Sequence, residues 1–409
     1  MIGELESSSS DLCVVGGGVA GLLFGARAQD LGYCVRLIEK NDRVGGLIQT
    51  TSTPLGISES AAHSLLASPQ VFEWAHLLGV ELVSLQERAR YIVRDGRMRR
   101  FPLTFFELID LSKRIFSREH QAGRDLESWA KTHIGEAALE YLLRPFLVGV
   151  FGAQAHEISQ ELAFPGLSVP QGSSFFRVLR NRPKKRRAPM VAPRKGMQDF
   201  VRALELKIGN RLTLNHELRT LPQGNVAVCT DAHSAGRLLE AVEPELAMRL
   251  KQIRYSPLVS ATVWANAKDF SRSPKGVGVL FAPCEQRSVL GVLFNSSSFS
   301  ERTWDPKVHS FTAMLGGTLD PTAIYLSDQE IEARVRSEFA STLGWRGDQM
   351  SLKIYRWPRA VPVYSEDLRK TLEYARERLS QRKGLVLFGN YTGSVSIRGM
   401  MESTWSLRR

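Results

Sequence analysis

The chain has 409 residues, 43% hydrophobic and 23% charged, with a formal net charge of +12. That length is more than one ordinary core and implies two or three globular domains rather than a disordered or fibrous chain. No apolar run approaches the roughly 18 to 20 residues of a spanning helix, and most of the charge sits in one stretch, residues 177–195, with nine basic and no acidic residues and no interleaved aromatics for base stacking, which argues against nucleic acid as a partner.

In chain order, residues 1–10 carry Glu4, Glu6 and four serines, without the basic start and apolar stretch of a signal peptide, so a cytoplasmic protein is expected. Residues 11–39 read as strand, glycine turn, helix and strand: an apolar run to Val15, then Gly16-Gly17-Gly18, helical spacing from Val19 to Leu31, and a second apolar run from Cys34 to Glu39. Residues 66–150 look mainly helical, with a capped helix from Ser68 to Gly79, a hairpin around Asp95-Gly96, and apolar residues at three- and four-residue spacing from Asp125 to Phe151. Residues 170–196, rich in proline and glycine and holding the basic run, read as a loop. Strands dominate 255–320, followed by a helix over 326–343, a strand over 352–357, a helix over 371–380 and a buried strand at 385–388. The four cysteines form no CxxC pair, so neither a zinc site nor a redox dithiol is expected, and no metal site is assigned; reduced, mostly buried thiols are the expectation.

Gly16-Gly-Gly18-Val19-Ala20-Gly21 fits GxGxxG in the right context: a strand before, a helix after, and an acidic residue, Glu39, at the end of the next strand. In such a unit Gly16 makes the tight turn, Gly18 admits a pyrophosphate to the backbone, and Gly21 lets helix and strand pack closely. The start of the helix presents unpaired N–H groups and a partial positive charge, and Glu39, followed by Lys40, would accept hydrogen bonds from ribose hydroxyls. Arg43-Val-Gly45-Gly46 just beyond suits the extended second half of FAD better than NAD, with Arg43 available to neutralise the pyrophosphate. Non-covalent FAD is the expected cofactor, since no cysteine follows Cys284 to anchor a flavin near the C-terminus.

These motifs, with Arg144-Pro-Phe-Leu-Val-Gly-Val-Phe151, Ala163-Phe-Pro-Gly-Leu167, Lys195-Gly-Met-Gln198, Met314-Leu-Gly-Gly317, Arg356-Trp-Pro-Arg-Ala-Val-Pro362 and Gly389-Asn-Tyr391, make the chain resemble the FAD-containing, oxygen-dependent protoporphyrinogen and coproporphyrinogen oxidases of the flavin amine oxidase superfamily. The resemblance implies an α/β fold: a discontinuous Rossmann-like FAD-binding domain (1–85, 196–245, 372–409), a helical membrane-docking domain (90–195) and a mixed-sheet substrate domain (246–371). It implies flavin contacts from Ser396 and Ile397, and a tetrapyrrole clamped by Val277, Gly278, Leu280 and Met314. Departures from the family pattern include Glu59-Ser-Ala-Ala62 where an acidic-x-Gly-Pro segment is usual, and Phe106 near the place where some members carry a propionate-binding arginine.

The expected reaction is oxidation of protoporphyrinogen IX to protoporphyrin IX with O2 as acceptor. Alternatives are coproporphyrinogen III as substrate, another flavin amine oxidase-type reaction, or a flavin- or porphyrin-binding homologue without turnover. No catalytic acid–base residue is assigned, because the flavin performs the redox chemistry. Peripheral contact with an anionic membrane through the basic stretch is a further expectation, and the sequence leaves a homo-oligomer open.

Overall fold

The computed structural model of the protein describes residues 1–6, 9–118, 125–182 and 188–407. Residues 183–187, which hold Lys184, Lys185, Arg186 and Arg187 of the basic stretch, lie outside the described residues. The strands in chain order are β1 (Asp11–Val15), β2 (Cys34–Ile38), β3 (Thr50–Thr53), β4 (Gly56–Glu59), β5 (Leu65–Leu66), β6 (Leu82–Ser84), β7 (Arg90–Arg94), β8 (Arg97–Arg99) and β9 (Met190–Pro193). They continue as β10 (Leu212–Thr213), β11 (Asn225–Val228), β12 (Tyr255–Asn266), β13 (Gly278–Phe281), β14 (Gly291–Leu293), β15 (Val308–Gly316), β16 (Ser351–Pro362) and β17 (Leu385–Leu387).

Five strands from three separated stretches of chain form one parallel sheet in the order β10-β2-β1-β11-β17. Their side chains alternate between two cores. Leu12, Val14, Val35, Leu37, Ala227 and Val386 pack with the helix Val19–Asp30 and the helix Gln198–Ile208. Cys13, Val15, Val226, Val228, Leu385 and Leu387 pack with the helices Ala232–Leu239, Pro244–Lys251 and Glu366–Ser380. Burial on both faces is what a parallel sheet with crossover helices requires, and it makes the carboxyl ends of these strands the natural ligand edge.

A seven-stranded mixed sheet, β16-β12-β15-β14-β13-β7-β8, forms the second layer system. One face carries Val259, Ala261, Val263, Val279, Phe281, Val292, Phe311, Ala313 and Leu315, buried beneath the helix Asp328–Glu338 through Ile331 and Val335. Two smaller sheets, β3-β4 and β5-β9-β6, join the layers. No helix of the described residues is long and apolar enough to cross a membrane.

Three sequence expectations change. The stretch 66–150, read as mainly helical apart from the hairpin around Asp95-Gly96, also holds the short strands β5 and β6 on either side of the helix Pro69–Leu77, which Ser68 caps by accepting a hydrogen bond from the Val71 N–H. The β7–β8 hairpin, assigned to the helical segment, pairs into the large sheet through β7 and β13, because Tyr91, Val93 and Met98 alternate inward onto that sheet's core. The stretch 170–196 is not a plain loop: it contains the helix Phe175–Asn181, anchored by buried Phe175, and the central strand β9. Of the cysteines, Cys13 and Cys229 are buried, whereas Cys34 and Cys284 are exposed.

Candidate functional site

The glycine turn between β1 and the first helix is built by steric necessity. Gly16 has φ +106, and a side chain there would press on the Cys229 carbonyl oxygen at 3.0 Å. A Cβ on Gly21 would stand 1.9 Å from the Gly16 carbonyl oxygen, so only glycine lets the helix approach the turn. Gly18 is different: it starts the helix with extended backbone and no side-chain cap, and a Cβ there would meet nothing within 4 Å. Open space at that position, in front of Val19 and Ala20 in the uncapped first turn, is where an anion would sit against the backbone N–H groups.

Glu39 is buried and its carboxylate organises the turn. Oε2 accepts from the Gly17 N–H at 2.6 Å, and Oε1 accepts from the backbone N–H and the side-chain amide of Asn41 at 2.9 and 2.7 Å. A carboxylate offers about four acceptor positions, so capacity for a ribose hydroxyl remains. The second glycine pair lies against the first: the Gly45 N–H donates to the Gly17 carbonyl at 2.8 Å, and a Cβ on Gly46 would be 3.3 Å from the Gly18 Cα. The Arg43 guanidinium donates to the Val44 and Gly46 carbonyls at 3.1 and 2.8 Å, which makes it a brace of this turn. Lys40 is exposed. At the C-terminal end, Ser396 caps the helix Ile397–Thr404 by accepting from the Gly399 N–H at 3.1 Å, and that helix packs on the first helix.

The other half of the site is the inner face of the large sheet. Strand register sets one row across it: Arg99 (β8), Ile92 (β7), Leu280 (β13), Gly291 (β14), Met314 (β15), Ser260 (β12) and Tyr355 (β16). The adjacent row runs Arg90, Gly278, Leu293, Thr312, Thr262 and Lys353. Leu258, Leu280, Leu293 and Met314 are only half-buried and belong to none of the apolar clusters. Gly149, in the helix Arg144–Phe151, lies against Leu280, and Gly152 against Leu258. From the other side the β3–β4 hairpin reaches the same face through Thr51 and Tyr355, whose hydroxyls are 2.7 Å apart, and through Ser58 and Thr262 at 2.8 Å. Ser60 completes the link: its hydroxyl donates to the Leu47 carbonyl beside the glycine pair, and its carbonyl accepts from the Trp357 indole at 2.7 Å.

Gly278, Leu280 and Met314 therefore share one face of the sheet, the face that the β3–β4 hairpin reaches. Val277 does not join them; it precedes β13, is buried, and by the strand's alternation falls with Val279 on the helix-backed side. Phe106 stands 80% exposed on the helix Phe105–Phe116. A basic residue on the same face is Arg90, directly paired with Gly278, exposed and without an ion pair among the described residues. A lone arginine opening a strand gives no signal in the sequence; the pairing partner supplies it.

Comparison with known proteins bears on this arrangement. The family model for flavin containing amine oxidoreductases matches residues 19–406. The chain belongs to the flavin containing amine oxidoreductase family. Within this family's relatives it is 23% identical to protoporphyrinogen oxidase 2 of Arabidopsis thaliana, over 95% of this chain and 91% of that protein. It is 20% identical to coproporphyrinogen III oxidase of Staphylococcus aureus, over 87% of this chain and 89% of that one. A solved structure from Exiguobacterium sp. 255-15, described as a candidate protoporphyrinogen oxidase, superposes with a TM-score of 0.78 at 18% identity, covering 98% and 97% of the two chains. This flavoenzyme is an FAD-dependent oxidoreductase, and its residues suit that cofactor: an open approach at Gly18, spare acceptor capacity on Glu39, and a second glycine pair braced by Arg43.

Beside the nucleotide turn this flavoenzyme carries a buried ionisable cluster that sequence reasoning missed. Glu59 accepts from the Met197 N–H at 2.9 Å and the Thr50 hydroxyl at 2.7 Å, pinning the Gly196-Met197 turn to the β3–β4 hairpin. Burial pushes its carboxyl up to about 7, outweighing those hydrogen bonds and the nearby Arg302. Arg302 is itself buried and donates to the Pro193 carbonyl at 3.1 Å. Burial, then Arg302, drops the His63 imidazole to about 3, so it stays neutral.

A carboxyl whose folded pKa lies above its unfolded value favours the fold while protonated, and that contribution is lost as pH rises from about 4.5 through 7. The wild type is therefore expected to lose up to about 3 kcal/mol across that window. Glu59→Gln is expected to flatten the dependence. Urea unfolding at pH 5 and pH 8 checks this; parallel losses in both proteins would assign the slope elsewhere.

Proposed function

We propose that this flavoenzyme oxidises a porphyrinogen, with protoporphyrinogen IX as substrate and O2 as final acceptor. The observation that carries the reading is the half-buried apolar strip of Leu258, Leu280, Leu293 and Met314, which lies on the sheet face reached by the β3–β4 hairpin and belongs to no core. A strip of this kind suits a large, mostly apolar macrocycle, whose burial is worth about 25 cal/mol per Å². Bound FAD supplies the two-electron acceptor, used three times for a six-electron oxidation. The protein's own residues hold and desolvate. In this reading the uncapped helix start and Glu39 would fix the dinucleotide, Leu280 and Met314 would meet the ring, and Trp357 and Tyr355 tie the sheet to the β3–β4 hairpin and the Ser60 beyond it.

Coproporphyrinogen III is the second reading. Arg90 and Arg99 at one edge of the same face, with Lys353 at the other, favour a substrate with more carboxylates. The test is to load the purified protein with FAD and follow porphyrin fluorescence after adding each porphyrinogen. A rise with protoporphyrinogen supports the first reading, a rise with coproporphyrinogen alone supports the second, and no rise with either discards both.

The surface supports peripheral membrane attachment on the cytoplasmic side through the helical segment. The helix Phe105–Phe116 buries none of its residues; Phe101, Phe105, Phe106 and Phe116 are exposed, and Phe116 stacks on Phe176 with centroids 4.5 Å apart. Lys113, Arg177 and Arg180 belong to the same pair of helices. Apolar rings among cations suit an anionic bilayer interface. Replacing Phe105 and Phe106 with serine is expected to abolish flotation with phosphatidylserine vesicles while leaving the Tm unchanged; undiminished flotation would discard this face.

A further inference from the structure

Glu39 directly follows β2, and its carboxylate is the group in the nucleotide site suited to a ribose. A carboxylate accepts about four hydrogen bonds, two at each oxygen, and donates none. Three of those positions are filled from within the chain: Oε2 accepts from the Gly17 N–H at 2.6 Å, and Oε1 accepts from the Asn41 backbone N–H at 2.9 Å and from the Asn41 side-chain amide at 2.7 Å. Chemistry fixes the orientation of that amide, because only its Nδ2 end can donate to a carboxylate.

The three donors differ in kind. Two are backbone groups set by the path of the chain. Gly17 lies so close that a Cβ there would stand 2.9 Å from the Glu39 Cβ. Glu39 is itself held by its main chain: its N–H donates to the Thr213 carbonyl at 2.9 Å, and its carbonyl accepts from the His216 N–H at 3.0 Å. The third donor is a side chain, and it is the one that fills Oε1. Oε2, beside Gly17, keeps one acceptor position, and Glu39 as a whole remains 8% exposed. The adenosine ribose of FAD presents two neighbouring hydroxyls, 2′ and 3′. With Oε1 full, only one of them finds an acceptor on Glu39.

We propose that Asn41 is a specificity-determining residue of the cofactor site: by closing Oε1 it leaves Glu39 to read a single ribose hydroxyl of FAD, through Oε2. The inference concerns the dinucleotide alone and is independent of the porphyrinogen reading. The protein then distinguishes FAD from an analogue lacking that one hydroxyl and accepts an analogue lacking the other.

The test uses flavin fluorescence titration of the flavin-stripped wild type and Asn41→Ala. The ligands are FAD and its 2′-deoxyadenosine and 3′-deoxyadenosine analogues, and the Tm of each flavin-free protein is the control. The wild type is expected to lose about tenfold in affinity with one deoxy analogue, the scale of one hydrogen bond to a charged acceptor, and to bind the other within about twofold of FAD. Asn41→Ala opens Oε1 to the second hydroxyl. It is expected to lose affinity with both analogues, to bind FAD at least as tightly as the wild type, and to keep its Tm, since Asn41 is exposed. A wild type weakened equally by both analogues would overturn the proposal, because both hydroxyls would then reach Glu39 past the amide. A wild type indifferent to both would overturn it by taking the ribose away from Glu39. Weaker FAD binding by Asn41→Ala at unchanged Tm would also overturn it, marking the amide as a contact to the ribose rather than a block.

Discussion

Gly18→Val is expected to bind FAD roughly 100-fold more weakly than the wild type, a loss of about 2.7 kcal/mol, while its FAD-free form melts within a few degrees of the wild type. The separation follows from the geometry. Gly18 has φ −66 and ψ 173, which any residue adopts, and no atom stands within 4 Å of a Cβ there. The fold alone therefore tolerates a side chain, and only a ligand pressed against the backbone objects. Gly21→Ala, three residues on, is expected to do the reverse. Its Cβ would lie 1.9 Å from a main-chain oxygen of the same turn, so the helix must move and the protein loses stability before cofactor binding is considered. Flavin fluorescence titration and thermal melting of both variants measure the contrast. If Gly18→Val bound FAD normally, the pyrophosphate would not rest on this turn.

Arg90→Ala is expected to lower kcat/KM for the porphyrinogen about tenfold, mainly through KM, with FAD affinity unchanged. A hydrogen bond between charged groups is worth about 1.5–3 kcal/mol, which is about ten- to 100-fold. Arg90 is exposed, so solvent screening holds the effect to the lower end. Its position argues for the role. It is the strand partner of Gly278, on the same face as the apolar strip, and it carries no ion pair among the described residues. Raising the salt concentration is expected to narrow the gap between wild type and variant. Steady-state kinetics at two ionic strengths check both statements; a variant with wild-type KM would remove Arg90 from carboxylate recognition.

What could be seen in the sequence was what depends on neighbours along the chain. The spacing of Gly16, Gly18 and Gly21, and the acidic residue closing the second strand, are local consequences of one turn, and the structure builds that turn as expected. The alternation of Tyr91 and Val93 with Arg90 and Ile92 marked the hairpin as a hairpin. It could not say that β13 would be the partner, so the hairpin was placed with the wrong neighbours. The stretch 170–196 was obscured by composition: proline and basic residues flank Phe175 and Val191, whose burial creates a helix and a central strand. The bracing of the turn by Arg43 gave no signal because its carbonyl partners lie in its own loop and have no sequence signature. The burial of Glu59 gave no signal for a related reason. A glutamate ending an alternating strand looks ordinary until long-range pairing shows which face it shares and how completely it is buried.

The most direct test of the whole arrangement is an anaerobic titration of the FAD-loaded protein with protoporphyrinogen IX, followed by admission of air. Bleaching of the flavin absorbance near 450 nm (about where oxidised flavins absorb), with appearance of porphyrin fluorescence and recovery of the flavin band on aeration, is the expected result. A flavin band that protoporphyrinogen and coproporphyrinogen both leave untouched would contradict it.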